Sequence, residues 1–194
     1  MNQGDKGALK KAQKTIENVI YANVIVDNQE KKPWDFKEKL PSKFFVKDII
    51  VRNLDYGDYT IEGYDLPEFK NSIIIERKAS VEELLGNIGK NWERFQRELD
   101  GLQKYSKSLI IVEDDLHDAY AKYTARNPKK GMYFTLPPDF LLARVCEIDH
   151  KWGIKTLFLS NKYFARRYAC NLFRSILEKE KNGTESGISG QPIS

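Results

Sequence analysis

The sequence predicts an α/β fold, a mixed sheet flanked by helices around one core, and three observations carry that expectation. Three short runs, Val24-Ile25-Val26, Ile73-Ile74-Ile75 and Leu109 to Val112, are continuously apolar, the pattern of strands covered on both faces. From Ser80 onward the period changes to that of a helix. The order of elements, strands first and then strands alternating with helices, matches helices packed against a sheet.

Residues 1–18 are polar and carry Lys10, Lys11 and Lys14, which reads as a frayed helix or a flexible arm. The first strand runs from Ile20 to Asp27. Pro33 and Pro41 then bracket a loop that contains Trp34 and Phe36. A second strand covers about Phe44 to Val51, and the turn Asp55-Tyr56-Gly57-Asp58 leads to a third, Tyr59 to Glu62. These early strands look antiparallel. After Asp65-Leu66-Pro67 comes the strand Ile73 to Lys78.

Ser80 opens a helix, with Glu83 three residues on to complete a capping box. Val81, Leu84, Leu85, Ile88, Trp92, Phe95, Leu99 and Leu102 recur at spacings of three and four and share a face. Gly86 and Gly89 each cost a helix about 1 kcal/mol relative to alanine, which fits either a break near Gly89 or a close approach of backbone to ligand. Beyond the strand Leu109 to Val112, residues 116–137 lack periodicity, as functional or mobile segments do. Pro138 starts a helix to about Trp152, Thr156 to Ser160 forms a last strand, and Lys162 to Lys179 a final helix. The Gly- and Ser-rich tail from Lys181 is expected to be disordered. The chain thus divides into an arm (1–18), a folded domain (19–179) and a tail (180–194).

Composition narrows the function. The 194 residues suffice for one domain with a substantial core. A net charge of +4, with 31% charged residues, is compatible with a polyanionic partner without demanding one. Cys146 and Cys170 lack metal-ligand spacing and read as reduced, buried thiols. Having only His117 and His150 argues against a histidine-rich zinc site or a histidine-metal nuclease. No apolar run approaches membrane-spanning length and no signal-peptide core is present, so an intracellular location, cytoplasmic or nucleoid-associated, is expected.

The candidate chemistry lies in Gly57-Asp58 and Glu76-Arg77-Lys78. Glu76 and Lys78 are two apart on a strand and point to one face, while Arg77 points to the other. Two carboxylates suit a hard divalent cation such as magnesium or manganese, and a neighbouring lysine can orient or polarise an attacking water. Together they fit metal-assisted phosphodiester hydrolysis. Asp…Glu-x-Lys is also the core of the PD-(D/E)xK pattern. Further carboxylates, Asp27 and Glu30 after the first strand and Glu82 one turn into the helix, lie where they can face the same cleft.

With these residues in view, the chain resembles the XPF-type nuclease domain. That family's pattern is a strand ending in VDxRE, then GD, then ERKxxxD. Here it reads Val26-Asp27-Asn28-Gln29-Glu30, Gly57-Asp58 and Glu76-Arg77-Lys78 with Glu82, within a match spanning roughly residues 20–178. Gln29 stands where the family has arginine, and Glu82 where it has aspartate. The resemblance implies a restriction-endonuclease-like fold in its compact form, as in phages and microbes, without a helix-hairpin-helix module. It also implies that Asp58 and Glu76 bind the metal, that the Arg77 carbonyl completes the site and that Lys78 stabilises developing charge. Asp27 and Glu30 would bind or shape the metal region, and Glu82 would support it from behind.

Lys90, Arg94 and Arg97 lie on one helical face, off the apolar stripe, and can contact phosphates; Arg94-Phe95 and Glu98 resemble the family's RF-x-x-E segment. Arg126, Lys129 and Lys130 form a second patch, interleaved with Tyr120, Tyr123 and Tyr133, and Arg166 with Arg167 a third. Each patch reads equally as a solvated or packed surface. Glu113-Asp114-Asp115 reads as a solvated loop, Asp27 as a turn cap as well as a site residue, and Arg77 as a salt-bridge partner as well as a phosphate contact.

The function expected is a magnesium- or manganese-dependent DNA endonuclease of repair or recombination, acting on branched or flapped DNA. A homodimer, or a partner protein supplying a DNA-binding module, is compatible with it. Two alternatives remain: a Holliday-junction resolvase or restriction-type nuclease on the same fold, and a non-catalytic DNA-binding scaffold.

Overall fold

The computed structural model describes residues 19–37, 44–117 and 138–185. Six strands form one sheet in the order β2-β1-β3-β4-β5-β6. They are β1 (Ile20–Asp27), β2 (Phe44–Arg52), β3 (Tyr59–Ile61), β4 (Ile73–Lys78), β5 (Lys107–Val112) and β6 (Lys155–Phe158). The helices are α1 (Val81–Ile88), α2 (Trp92–Leu102), α3 (Pro138–Trp152) and α4 (Lys162–Glu185). The mixed sheet flanked by helices is the expected fold class.

Alternation along the buried strands sends successive side chains to opposite helical layers. Ile25, Ile74, Ile110 and Val112 pack beneath Val81, Leu84 and Ile88 of α1, Phe95 and Leu99 of α2, and Ile148 and Trp152 of α3. Val24, Val26, Ile73, Ile75 and Ile111 pack on the other face against Trp34, Phe36 and the α4 residues Ala165, Ala169 and Phe173. This two-sided cover is why the runs read as uniformly apolar. Each fully buried isoleucine contributes about 1.5–3 kcal/mol.

The early strands differ from expectation. β1 and β2 are parallel, with Ile20 opposite Phe44 and Asp27 opposite Arg52. A parallel pair needs a crossover, and the segment after Asp27 provides it by burying Trp34 and Phe36 beside α4. Trp34 stacks on Tyr59 with centroids 4.1 Å apart and planes 5° apart, and its N–H donates to the Tyr59 hydroxyl at 3.1 Å. β3 alone is reversed, antiparallel to both β1 and β4. The carboxyl ends of β1, β4, β5 and β6 therefore meet the amino end of β3 along one edge, the edge where ligands bind in open α/β sheets.

The apolar stripe from Val81 to Leu102 is interrupted as Gly89 predicts. The Gly89 N–H donates to Leu85 O and the Asn91 N–H to Gly86 O, which closes α1 and restarts the chain as α2. A Cβ at Gly89 would stand 2.9 Å from the Leu85 carbonyl, so the tight break requires glycine. Ser80 caps α1 by accepting from the Glu83 N–H at 3.3 Å; the Glu83 carboxylate returns to Ala79 N–H at 2.9 Å, one residue before the cap. α4 continues to Glu185, past the expected end at Lys179, so the tail boundary moves outward. Cys170 is buried as expected, but Cys146 is exposed on α3. No helix among the described residues is long and apolar enough to cross a membrane.

Candidate active site

A cleft of about 770 Å³ opens at this strand edge, with Asp58, Glu76, Lys78, Glu30, Glu82 and Asp27 on its walls. Gly57, at φ +70°, turns the chain into β3 and sets Asp58 between two strand ends. A Cβ there would lie 2.4 Å from Ile74 Cγ1, so the turn can pack on β4 only with glycine. The Asp58 N–H donates to Ile75 O at 2.8 Å, and its carbonyl accepts from the Asp27 N–H at 2.9 Å. Asp58 is thereby fixed to both neighbouring strands.

Its carboxylate accepts at Oδ2 from the Arg77 main-chain N–H at 2.6 Å. Burial, then the negative charge of Glu76, push its pKa up to about 8, against the opposing Arg77 hydrogen bond. Burial also raises Glu76, while Lys78 opposes the rise. Lys78 Nζ donates to Glu76 Oε1 at 2.6 Å and sits 5.2 Å from the centre of the Phe95 ring. Burial is the largest single influence and would lower the lysine, but the charge and hydrogen bond of Glu76, together with the charges of Glu83 and Glu98, hold the ammonium above its usual range.

Across the sheet Arg77 takes the salt-bridge role. Its Nε and Nη2 donate to Glu113 at 2.8 and 2.7 Å, and Nη1 reaches Glu30 at 3.1 Å. Burial, the largest single influence, opposes its charge, yet Glu113 and Glu30 together more than compensate and raise its pKa. Trp34 Nε1 donates to the same Glu113 carboxylate. Glu113 is therefore no solvated loop residue; it is a buried anchor for Arg77 and Trp34. Asp114 accepts from the Val81 N–H at 3.3 Å at the start of α1.

Asp27 takes the turn-cap role expected as one of its two readings. One carboxylate oxygen accepts from Gln29 N–H at 3.0 Å and the other from Leu54 N–H at 2.9 Å. It ties the end of β1 to the segment leading into Gly57. Glu30 is held by Arg77 and by the Lys32 N–H at 2.8 Å. Glu82 stands exposed in the first turn of α1, on the cleft wall.

Among the described residues no group of three His, Cys, Asp or Glu side chains is arranged to hold a metal ion by itself. What is present is a shorter set. No hydrogen bond among those residues reaches Asp58 Oδ1 or Glu76 Oε2, and the charges of the two carboxylates destabilise each other. Two open carboxylate oxygens, with the Arg77 carbonyl as a third candidate, suit a cation that retains most of its water shell, as magnesium does.

Lys90, Arg94 and Arg97 are all exposed, but only Arg94 and Arg97 share a helical face, that of α2; the break at Gly89 puts Lys90 in the turn before it, and Arg94 lies 3.5 Å from Glu98. Arg94 and Glu98 also line the cleft, with Glu83, Asn87 and Asn91. Of these, Glu83, Asn87 and Asn91 carry no catalytic signature in the sequence. Arg126, Lys129 and Lys130, with Tyr120, Tyr123 and Tyr133, lie outside the described residues. Arg166 is not a surface cation. It is buried, donates to the Asp35 carbonyl and packs on Tyr163, which removes the third basic patch.

The model of the ERCC4 domain matches residues 26–172, most of the chain and every cleft carboxylate named above. The chain belongs to the ERCC4-domain family. It is an XPF-type nuclease domain, and the resemblance read from Gly57-Asp58 and Glu76-Arg77-Lys78 is thereby borne out. The fold is similar to that of XPF from Aeropyrum pernix, with a TM-score of 0.56 and 21% identity over 84% of this chain and 69% of that one. A second structure of XPF from Aeropyrum pernix, in complex with DNA, matches with a TM-score of 0.47 and 20% identity, over 84% and 66%. No curated protein matches. In this ERCC4 domain Lys78 and Glu76 are one ion pair, and Asp58 is held by the main chain of Arg77 between them.

Proposed function

We propose that this ERCC4 domain is a magnesium- or manganese-dependent DNA endonuclease that prefers branched or flapped DNA, in repair or recombination. What supports it best is the pairing of Asp58 and Glu76, each with an open carboxylate oxygen, beside a buried charged lysine in a cleft edged by Arg94. Asp58 and Glu76, with the Arg77 carbonyl, would hold the cation, which supplies Lewis-acid polarisation of the phosphodiester and activation of water. The Arg77 N–H keeps Asp58 oriented whether or not a cation is bound. Lys78 offers a fixed positive charge to the phosphate as negative charge develops during in-line attack, and it needs no reorganisation to do so. Glu30, Glu82 and Asp27 hold the walls of the site. Phosphate contacts from Lys90, Arg94 and Arg97, and from Arg126, Lys129 and Lys130, would position the DNA without reading its sequence. A homodimer, or a partner protein with a DNA-binding module, would sharpen the choice of branch. Residues 19–185 form the domain in this reading, with 1–18 and 186–194 as appendages.

The test is cleavage of a labelled panel of duplex, single strand, 3′ flap, fork and four-way junction in magnesium, manganese or EDTA. Cutting that needs metal, leaves 5′-phosphate ends and disappears in Asp58→Ala and Lys78→Ala is the expected result. Binding without cutting under every metal condition would instead establish a DNA-binding scaffold. Symmetric nicks confined to the four-way junction would establish a junction resolvase.

A further inference from the structure

A second groove, of about 480 Å³, crosses the break between α1 and α2 and shares Asn91 and Arg94 with the cleft. Four cationic side chains, Lys90, Arg94, Arg97 and Arg144, line it against one carboxylate, Glu93. Arg94 and Arg97 come from α2 and Lys90 from the turn before it. Arg144 arrives from α3, on a different element of the same layer.

Arg144 is also the best fixed of the four. Its guanidinium lies 4.3 Å over the Trp92 ring and 5.5 Å from that of Phe140, and Nη1 donates to Glu147 at 2.6 Å. Stacking on an indole occupies the flat face of a guanidinium and leaves the in-plane N–H groups to bind anions. Arg94 is more open, with its side chain 61% exposed. The groove therefore combines a pre-oriented fork with exposed cations, next to the cleft of Asp58 and Glu76.

We propose that Arg144 is a phosphate contact and that this groove carries the DNA backbone as it leaves the cleft past Asn91 and Arg94. The proposal rests on the nuclease reading above and adds to it a path and a residue. Arg144 already covers one face of Trp92, so the groove is made for phosphates rather than for stacked bases. It holds DNA of any sequence. Glu147 draws on the same guanidinium and restrains its hold on phosphate.

The experiment compares the full chain with Arg144→Gln and Glu147→Gln. Binding of a fluorescent fork is followed in calcium across a salt series, and cleavage of the same fork in magnesium. Hydrolysis of bis(p-nitrophenyl) phosphate in manganese is the third readout, because that diester is too short to reach from the cleft into the groove. Arg144→Gln is expected to weaken fork binding about fivefold to tenfold and to lower the slope of log affinity on log salt by about one. It should raise KM for the fork, with kcat and small-diester hydrolysis unchanged. Glu147→Gln, which frees the guanidinium, should tighten fork binding by about twofold to fivefold. Wild-type affinity and slope in Arg144→Gln would overturn the path, as would weaker binding in Glu147→Gln or equal loss on the small diester. If the wild type cuts both substrates and Arg144→Gln matches it, the groove alone falls. If the wild type cuts neither, the nuclease reading falls and takes the groove with it.

Discussion

Arg77 and Asp58 are joined through the backbone of one and the side chain of the other: the Arg77 N–H donates to Asp58 Oδ2 at 2.6 Å, while the guanidinium serves Glu113 across the sheet. One residue thus orients a site carboxylate on one face and fastens the opposite core. The same division explains why Glu76 and Lys78, its neighbours on β4, share the cleft, whereas the Arg77 guanidinium reaches it only through Glu30 on its wall.

The raised pKa of Asp58 makes the metal-free domain sensitive to pH. Folding lifts this carboxyl from 3.8 to about 8, chiefly through burial and then through Glu76. Between those values the folded state holds a proton that the unfolded chain has released. The stability this group contributes is therefore fully present below about pH 4 and is lost as pH rises toward about 8. Asp58→Asn keeps an acceptor for the Arg77 N–H but abolishes the titration. Urea unfolding in EDTA at pH 5, 7 and 9 should show the wild type weakening with pH. The variant should have a flatter profile and a gain of about 1–3 kcal/mol at pH 9. A wild-type profile as flat as the variant's would contradict the burial of this carboxylate.

Gly57 should resist substitution on two grounds. Its φ of +70° lies in the left-handed region, and an added Cβ would meet Ile74 Cγ1 at 2.4 Å and Ile75 O at 3.2 Å. Gly57→Ala should cost about 1–3 kcal/mol. Because Asp58 follows directly, cleavage should fall tenfold or more even at temperatures where the variant is fully folded, since small misplacements are expensive for catalysis. A thermal melt and a cleavage rate on the same sample check both parts.

The Arg77–Glu113 pair is the costliest interaction to break by halves. The two side chains are 7% and 6% exposed, so removing Arg77 strands the carboxylates of both Glu113 and Glu30, and removing Glu113 leaves the buried guanidinium with Glu30 alone. Glu113→Ala should lose about 3–5 kcal/mol in urea unfolding. Arg77→Met with Glu113→Leu should lose much less than the two single changes summed, and additivity would show that the pair is not coupled.

How much of this was legible in the sequence depends on how local each signal is. The limits of β1, β4 and α3 match the expectation because a buried run or a helical proline is written in adjacent residues. The candidate trio is equally legible, since Glu76 and Lys78 sit two apart and Gly57 marks the turn before Asp58. Strand direction was not. The crossover that makes β1 and β2 parallel is held by Trp34 stacking on Tyr59, and nothing beside Trp34 in the chain announces that partner. Glu113 looked like solvated acid because Arg77 is 36 positions away. Arg144 went unnoticed for the same reason, its stacking partner Trp92 belonging to another helix.

Lys78 should matter to chemistry more than to binding. It is buried against Phe95 and ion-paired with Glu76, so it offers charge at one fixed point. Lys78→Met should lower kcat by about a hundredfold to a thousandfold with little change in KM for DNA, as expected for a group used mainly in the transition state. A second effect follows from Glu76. Burial already raises that carboxyl, and Lys78 is what opposes the rise. Without the lysine Glu76 keeps its proton to higher pH, so magnesium must compete with that proton over a wider range. The residual activity should rise with pH beyond the point where the wild type levels off, and more magnesium should be needed at pH 7 than at pH 9. Metal titrations of the cleavage rate at both pH values decide it. A variant with lower kcat but an unmoved acid limb would mean that Glu76 takes its charge balance from elsewhere in the cleft.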